Sequence, residues 1–376
     1  MAQLAPKMHR LYIHVPFCSR KCDYCAFYSE PSPSADLIQS YLNRIEQEFA
    51  ANAGLCSELD SIYIGGGTPS LLNGRQLGKL IEGIVANFAI SKDAEISIEC
   101  NPESLNPENV SIIANFANRI SLGVQSFNCE FRKTIGRRGE IGETIQAIDL
   151  LTSHGLDNIG CDLIYAIPGE TMSDWENELK QAISLPIKHI SAYSLTFEEG
   201  TQLSQKNLVG PKDFTSAIHL ENEAGMWELA GEFLNANGFP RYEISNYSQP
   251  AYECQHNDKI WFGDTFLGCG PAAASFDGND RWTNPNSIQS WLEGEKAEID
   301  KITPEKRARE IFVMGLRTVK GWNRQDFTTV SGFDWGQWTD DLQILTKNDL
   351  LKISPENIKC SDKGLLLWNE IAERLI

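Results

Sequence analysis

The segment LYIHVPFCSRKCDYC, residues 11–25, joins a short apolar run to three cysteines, Cys18, Cys22 and Cys25. Thiolates are soft ligands that favour iron–sulfur clusters or zinc. A zinc site commonly needs four protein ligands, and no fourth Cys or His follows closely in the sequence. Three cysteines instead match three corners of a cuboidal cluster and leave one iron open to a small molecule. A structural zinc site with a distant fourth ligand is the alternative.

The apolar run at 11–15 is the first of six β-rich runs, which are separated by apolar residues at helical spacing. The runs are LYIHV (11–15), SIYI (61–64), ISIEC (96–100), ISLGV (120–124), IGCDLI (159–164) and HISAYSL (189–195). Such strand–helix repeats with right-handed crossovers give either a doubly wound sheet or an incomplete (βα) barrel.

Polar or glycine-rich residues at the strand ends indicate which of these two folds the chain adopts. They are Cys18, Gly65–Gly67, Glu99, Gln125, Asp162 and Tyr193. Barrels build their sites at the carboxyl ends of the strands. We therefore predict an α/β fold, a partial six-stranded (βα)6 TIM-like barrel over residues 1–205.

The sequence pattern changes after residue 205. Residues 206–300 are expected to form a connecting helix, at roughly 214–237, and an irregular stretch rich in Tyr, Asn and Gly. Residues 301–376 are expected to form a smaller α+β C-terminal domain with a winged-helix-like end. There, Thr303 and Pro304 should begin a helix that Gly321 ends.

Composition limits the classes of function. Hydrophobic residues make up 41% and charged residues 22% of the 376 residues, which argues against disorder. The net charge of −18, from 51 acids and 33 bases, would repel a polyanion, so nucleic acid is not expected as a partner. No apolar run is long enough to cross a bilayer and no signal peptide is evident, so a cytoplasmic protein is expected. Most of the seven cysteines outside the cluster of three are expected to be small buried apolar residues.

The pattern C-x3-C-x2-C after the first strand, with GGGTP (65–69) after the second, resembles the radical S-adenosylmethionine (SAM) superfamily. The resemblance implies a [4Fe–4S] cluster on Cys18, Cys22 and Cys25, with SAM bound to the open iron. A glycine-rich turn lets backbone groups approach the methionine part of SAM closely.

Further strings resemble the branch that contains oxygen-independent coproporphyrinogen III oxidases, among them ECNPE (99–103), IGRRG (135–139) and DLIYAIPGET (162–171). Carboxylates suit the ribose hydroxyls and ammonium group of SAM, and an Arg suits its carboxylate. The resemblance implies SAM contacts at Tyr12, Tyr24, Gly66, Gly67, Thr68, Glu99, Gln125, Arg137 and Asp162.

Two departures from the oxidases make the chain more similar to the heme chaperones of the HemW type. The oxidases carry a further Cys two positions after the third, where this chain has Phe27, and they carry a longer N-terminal extension. The resemblance implies a protein that binds heme and hands it to heme-accepting respiratory proteins. Oxidative decarboxylation of coproporphyrinogen III is the alternative, and whether the chain is an enzyme is left open.

The segment His256-Asn-Asp-Lys-Ile-Trp261 resembles the H-N-x-x-Y-W motif of those chaperones, with Ile260 in place of Tyr. A second departure is Ala274, which stands where a His is common. The resemblance implies that His256, Cys254 and Trp261 are candidate heme-binding residues, because heme iron readily takes His or Cys. Peripheral membrane contact and a homodimer are compatible with the sequence.

Overall fold

A computed structural model describes residues 7–205 and 217–376, and a mainly parallel sheet forms its centre. The strands are β1 (Met8–Val15), β2 (Phe17–Cys18), β3 (Glu30–Pro31), β4 (Cys56–Gly66), β5 (Ile90–Cys100), β6 (Arg119–Gln125), β7 (Ile159–Tyr165), β8 (His189–Ser194), β9 (Asn246–Ser248), β10 (Leu267–Cys269), β11 (Ala274–Phe276), β12 (Asp280–Thr283), β13 (Glu298–Lys301), β14 (Trp322–Asn323), β15 (Leu351–Ile353) and β16 (Asn357–Cys360).

The central sheet has the order β10-β1-β4-β5-β6-β7-β8-β9 and is parallel except for the pair β8–β9. Its six long strands, β1 and β4 to β8, are the six predicted from the sequence, so the predicted fold class is confirmed. The two edge strands β9 and β10 come from the segment 206–300, which was expected to form a connecting helix and an irregular region with the candidate heme-binding residues. They have three residues each, too few to show a strand period in the sequence.

Helices cover the sheet between successive strands. The α-helices are Ala35–Asn52, Gly74–Asn87, Pro107–Ala114, Cys129–Thr134, Ile141–Ser153, Met172–Ile183, Gln202–Gln205, Ala217–Ala236, Gln255–Trp261, Ile288–Leu292, Pro304–Leu316, Arg324–Ser331, Thr339–Lys347, Asp362–Leu366 and Trp368–Leu375. The helix Ala35–Asn52 shows how the sequence determines a helix. Ser34 caps its N-terminus by accepting a hydrogen bond from Leu37 N–H, and its apolar stripe is buried against the sheet.

Two expected helix ends differ from the structure. The helix expected at 214–237 runs over Ala217–Ala236, and residues 214–216 lie outside the described part of the chain. The helix that begins at Pro304 ends at Leu316 and not at Gly321. Gly321 has φ +61°, and a Cβ there would lie 2.2 Å from the carbonyl oxygen of Ile358, so this glycine shapes the turn before β14.

The C-terminal unit has its own small sheet, in the order β14-β16-β15. The helices Pro304–Leu316, Arg324–Ser331 and Thr339–Lys347 pack around it through buried aromatic rings. Phe312, for example, lies 5.1 Å from Phe327 and 5.2 Å from Trp338 between ring centroids. No helix in residues 7–205 or 217–376 has the length and apolar character needed to cross a membrane.

Candidate functional site

The cysteine loop leaves the sheet at the carboxyl end of β1. Phe17 and Cys18 pair with Glu30 and Pro31 in a two-residue parallel ladder, which closes the loop at its base. Within the loop, the Asp23 N–H donates to the Ile135 carbonyl at 3.2 Å. Cys18, Cys22 and Cys25 are half-buried, and all three line one cavity.

This cavity has a volume of about 550 Å³ and opens at the carboxyl end of the long strands. Parallel strands bring their carboxyl ends to one edge, so residues far apart in sequence meet there. The predicted site residues that line it are Cys18, Cys22, Cys25, Tyr24, Gly66, Gly67, Thr68, Glu99, Gln125, Arg137 and Asp162. Tyr12 lies outside the lining, and its hydroxyl hydrogen-bonds His14 Nδ1 at 2.9 Å.

The glycine turn at 65–67 packs directly against the start of the cysteine loop. Gly67 N–H donates to the Val15 carbonyl at 2.8 Å, and Thr68 N–H donates to the Phe17 carbonyl at 2.7 Å. A Cβ on Gly67 would lie 2.6 Å from the Phe17 carbonyl oxygen. Gly66 has φ +107°, a conformation that side chains disfavour. The turn therefore leaves backbone groups open to the cavity beside Cys18.

Two carboxylates lie deeper in the cavity. Glu99 accepts hydrogen bonds from Tyr63 Oη at 2.9 Å and from Gly66 N–H at 3.0 Å. Burial nevertheless raises the pKa of Glu99 to about 7. Asp162 accepts a hydrogen bond from Ser121 Oγ at 3.0 Å, and burial raises the pKa of this carboxyl too. Glu99 and Asp162 are therefore suited to receive a cation.

Arg137 lies beside the cysteine loop and is 7% exposed. Its Nη2 donates to the Gly123 carbonyl at 2.6 Å, and its Nη1 is 4.0 Å from Cys22 Sγ. Its Nε has no hydrogen-bond partner within the described structure. Arg137 Nη2 also forms an ion pair with Glu103 Oε2 at 3.4 Å, but the unpaired Nε would cost free energy if left without an acceptor, so this guanidinium fits a further anionic group in the cavity.

Several lining residues were not identified from the sequence, and they divide into two groups. The first group lies in the cysteine loop and consists of Arg20, Lys21 and Phe27. The cysteine motif specifies only the spacing of the thiols, so it does not identify the residues between and after them. Arg119, Ser121, Ser191 and Asn246 lie on strands or at a strand edge, and only cross-strand pairing reveals that they face the cavity. Ser191 pairs directly with Asp162, for example.

Comparison with known proteins identifies the family. Residues 12–182 match the model of the Radical SAM superfamily, and residues 302–367 match that of the HemN C-terminal domain. The heme chaperone HemW of Lactococcus lactis is 30% identical over 98% of this chain and 98% of that protein. HemW of Escherichia coli is 33% identical over 96% of this chain and 97% of that protein. The chain belongs to the HemW family.

A solved structure supports the fold of this chain. Coproporphyrinogen III oxidase, HemN, from Escherichia coli matches 100% of this chain and 91% of its own, with a TM-score of 0.85. At 22% sequence identity, this likeness shows a shared fold.

Membership of the Radical SAM superfamily implies a [4Fe–4S] cluster and SAM in this chain, as expected from the sequence. The cavity fits both groups, because it combines three thiols, a glycine turn and a buried guanidinium with an unpaired donor. Within the described ranges, no three His, Cys, Asp or Glu side chains are grouped to hold a single metal ion. A cuboidal cluster makes no such demand, since each cysteine binds a different iron. The role of each lining residue stays a prediction.

Of the three candidate heme residues, Cys254 lines the cavity that contains the thiols, whereas His256 and Trp261 lie outside its lining. His256 is 3% exposed, its Nδ1 is 2.8 Å from Ser61 Oγ, and its ring is 5.4 Å from that of Tyr63. Burial and the nearby Arg10 lower the pKa of His256 to about 3, so the ring is neutral. Cys254 is 2% exposed and borders the deep end of the cavity. The guanidinium carbon of Arg317 lies over the ring of Trp261, 5.1 Å from the ring centroid.

Glu95 fixes this segment to the sheet. Its carboxylate accepts hydrogen bonds from the N–H groups of Gln255 and His256, both at 2.9 Å, at the first turn of the helix Gln255–Trp261. The structure therefore does not bring His256, Cys254 and Trp261 together on one open surface. Binding of iron by His256 would require this helix to leave the sheet.

His256→Ala is expected to lower the free energy of unfolding by about 2–4 kcal/mol, because it leaves a cavity and removes the hydrogen bond between His256 and Ser61 Oγ, which keeps only its bond with Arg10 Nη1. Urea unfolding followed by circular dichroism measures this change. His154→Ala is the matched control, since His154 is exposed at the end of the helix Ile141–Ser153. Equal stability of the His256 and His154 variants would contradict a structural role.

SAM affinity is expected to fall as the pH drops below about 7, the pKa of Glu99. Above that pH the carboxyl is ionised and attracts the cationic groups of SAM; below it the carboxyl is neutral. Equilibrium dialysis of the cluster-loaded protein between pH 6 and 8.5 measures the slope. Glu99→Gln should bind SAM more weakly at high pH and lose most of the slope. An unchanged slope in Glu99→Gln would assign the titration to another group, such as Asp162.

Proposed function

We propose that this protein is a heme chaperone, which binds heme and transfers it to heme-accepting respiratory proteins. The observation that carries the proposal is similarity to HemW heme chaperones over nearly the whole chain, 96–98% of its length in the two comparisons above. Phe27 adds to it, because the chain lacks the further cysteine expected of the oxidases at this position.

In this proposal, the residues around the cavity hold two resident groups. Cys18, Cys22 and Cys25 would hold the cluster, which would supply electron-transfer chemistry to SAM bound beside it. The glycine turn would leave room for the methionine part of SAM beside the loop. Arg137 would hold the SAM carboxylate, and Glu99 and Asp162 its cationic and hydroxyl groups.

Heme uptake by the cluster-loaded protein tests the function. The full chain is reconstituted anaerobically with iron and sulfide and titrated with heme, with absorbance as the readout. Saturable uptake of about one heme per chain, followed by transfer to an apo-cytochrome, supports the proposal. Absence of heme uptake contradicts it. Turnover of coproporphyrinogen III under the same reducing conditions would favour the oxidase instead.

The setting of this function is part of the proposal. We place the protein in the cytoplasm, where a net charge of −18 keeps it soluble and away from nucleic acid. Respiratory acceptors lie at membranes, so delivery to them would involve brief peripheral contact with a membrane. A homodimer is compatible with this role, and sedimentation with and without heme tests for one.

A further inference from the structure

We propose that the tetrapyrrole binds at the mouth of the cluster cavity, flat against Phe27, with its carboxylates on Arg20 and Lys21. This inference rests on the proposed heme function and deepens it, because it assigns a binding site. The ligand class is a planar apolar macrocycle that carries two carboxylates on one edge.

Phe27 provides the apolar contact. Its side chain is 70% exposed, although phenylalanine is usually buried, and it lines the cavity two residues after Cys25. Tyr193, 45% exposed, lines the same cavity from β8. Leu195 adds buried apolar surface to the lining. Aromatic rings that stay open to solvent beside a cavity are suited to cover the face of a planar ligand.

Arg20 and Lys21 provide the charge. Both lie between the first two cluster cysteines and line the cavity, in a chain whose net charge is −18. The Arg20 side chain is 44% exposed, and Asp23 Oδ1 is 4.0 Å from its Nη2, beyond hydrogen-bonding length. Glu198, one of the three acidic residues in the lining, comes from a different segment, after β8. This distribution orients a dicarboxylate toward the cysteine loop.

The mouth is open as it stands, whereas the segment around His256 is not. His256 and Cys254 are at most 3% exposed, and the helix that carries His256 is held by Glu95. A macrocycle could reach His256 only after that helix moved. At the mouth, a ligand would meet Phe27, Arg20 and Lys21 without any rearrangement, directly beside the cluster thiols.

Recognition at this site uses the macrocycle and its carboxylates and not the iron. Metal-free protoporphyrin IX should therefore bind within about threefold of heme, and its dimethyl ester at least about tenfold more weakly. A site built on His256 or Cys254 as an iron ligand predicts the reverse: strong preference for heme and little effect of esterification.

The experiment titrates heme, protoporphyrin IX and the dimethyl ester into the full-length, cluster-loaded protein under anaerobic conditions. Phe27→Ala and the double variant Arg20→Glu, Lys21→Glu should each weaken heme binding at least about tenfold. The matched controls are Ile299→Ala, 62% exposed on β13, and Lys92→Glu, whose side chain is 90% exposed; neither should change binding. Iron content is measured for every variant, so that loss of the cluster is not mistaken for loss of the site.

The outcomes separate this inference from the function on which it rests. If the wild type takes up no heme or porphyrin, the chaperone function and this site are both wrong. If it takes up heme but rejects metal-free porphyrin, or if Phe27→Ala and the charge reversal bind normally, the site is wrong and the function stands. If Phe27→Ala does not fold, the site is tested by two remaining comparisons. These are heme binding by the double variant Arg20→Glu, Lys21→Glu, and binding of the dimethyl ester by the wild type.

Discussion

Alanine at any one of Cys18, Cys22 and Cys25 is expected to remove the cluster, from about four irons per chain to almost none. Each cysteine binds a different iron, so the loss of one thiol leaves only two protein ligands to hold the cluster. Two other cysteines border the cavity but are poor replacements. Cys100 and Cys254 are both buried, and burial raises the pKa of each thiol to about 12.

Iron and sulfide analysis after anaerobic reconstitution measures this loss, together with the visible absorbance of the cluster. Cys129→Ala is the matched control, because Cys129 is an exposed thiol at the start of the helix Cys129–Thr134 and outside the cavity lining. It should keep its full iron content. Full iron content in a variant of the cysteine loop would show that its thiol is not a ligand.

The central fold could be predicted because its evidence is local. Each long strand shows its own apolar run, and parallel strands must gather their carboxyl ends at one edge. Glu99 and Asp162, 63 positions apart, could therefore be placed in one cavity from the sequence. The edge strands β9 and β10 could not be predicted, because three residues are too few to show a strand period. Their pairing with β8 and β1 depends on tertiary contacts.

The segment around His256 shows the limit of motif reasoning. Sequence places a His beside a Cys and a Trp, which suggests iron ligands. The structure buries that His against Ser61, a residue 195 positions away, and no local pattern signals such a contact. Phe27 is the opposite case: phenylalanine is a residue type that is usually buried, and here it is exposed at the cavity mouth. Burial depends on the assembled fold, so neither environment could be derived from residue type alone.

Gly66→Ala is expected to weaken SAM binding at least about tenfold while the iron content stays unchanged. The backbone at Gly66 has φ +107°, which costs an alanine about 1–2 kcal/mol, and its Cβ would lie 2.6 Å from the His14 ring. The turn must then shift, together with the N–H that donates to Glu99. The position of Cys18 should not change, because the atoms closest to a Cβ at Gly66 belong to His14, whereas those closest to a Cβ at Gly67 belong to the backbone of Phe17.

Equilibrium dialysis with SAM and iron analysis of the same sample test this separation of effects. Gly78→Ala is the matched control: Gly78 lies in the helix Gly74–Asn87, and an added Cβ would meet nothing within 4 Å. That variant should bind SAM normally and gain slightly in stability, because alanine favours a helix. Normal SAM affinity in Gly66→Ala would mean that the turn does not touch the ligand. Loss of iron as well would mean that the turn supports the cysteine loop more than it supports SAM.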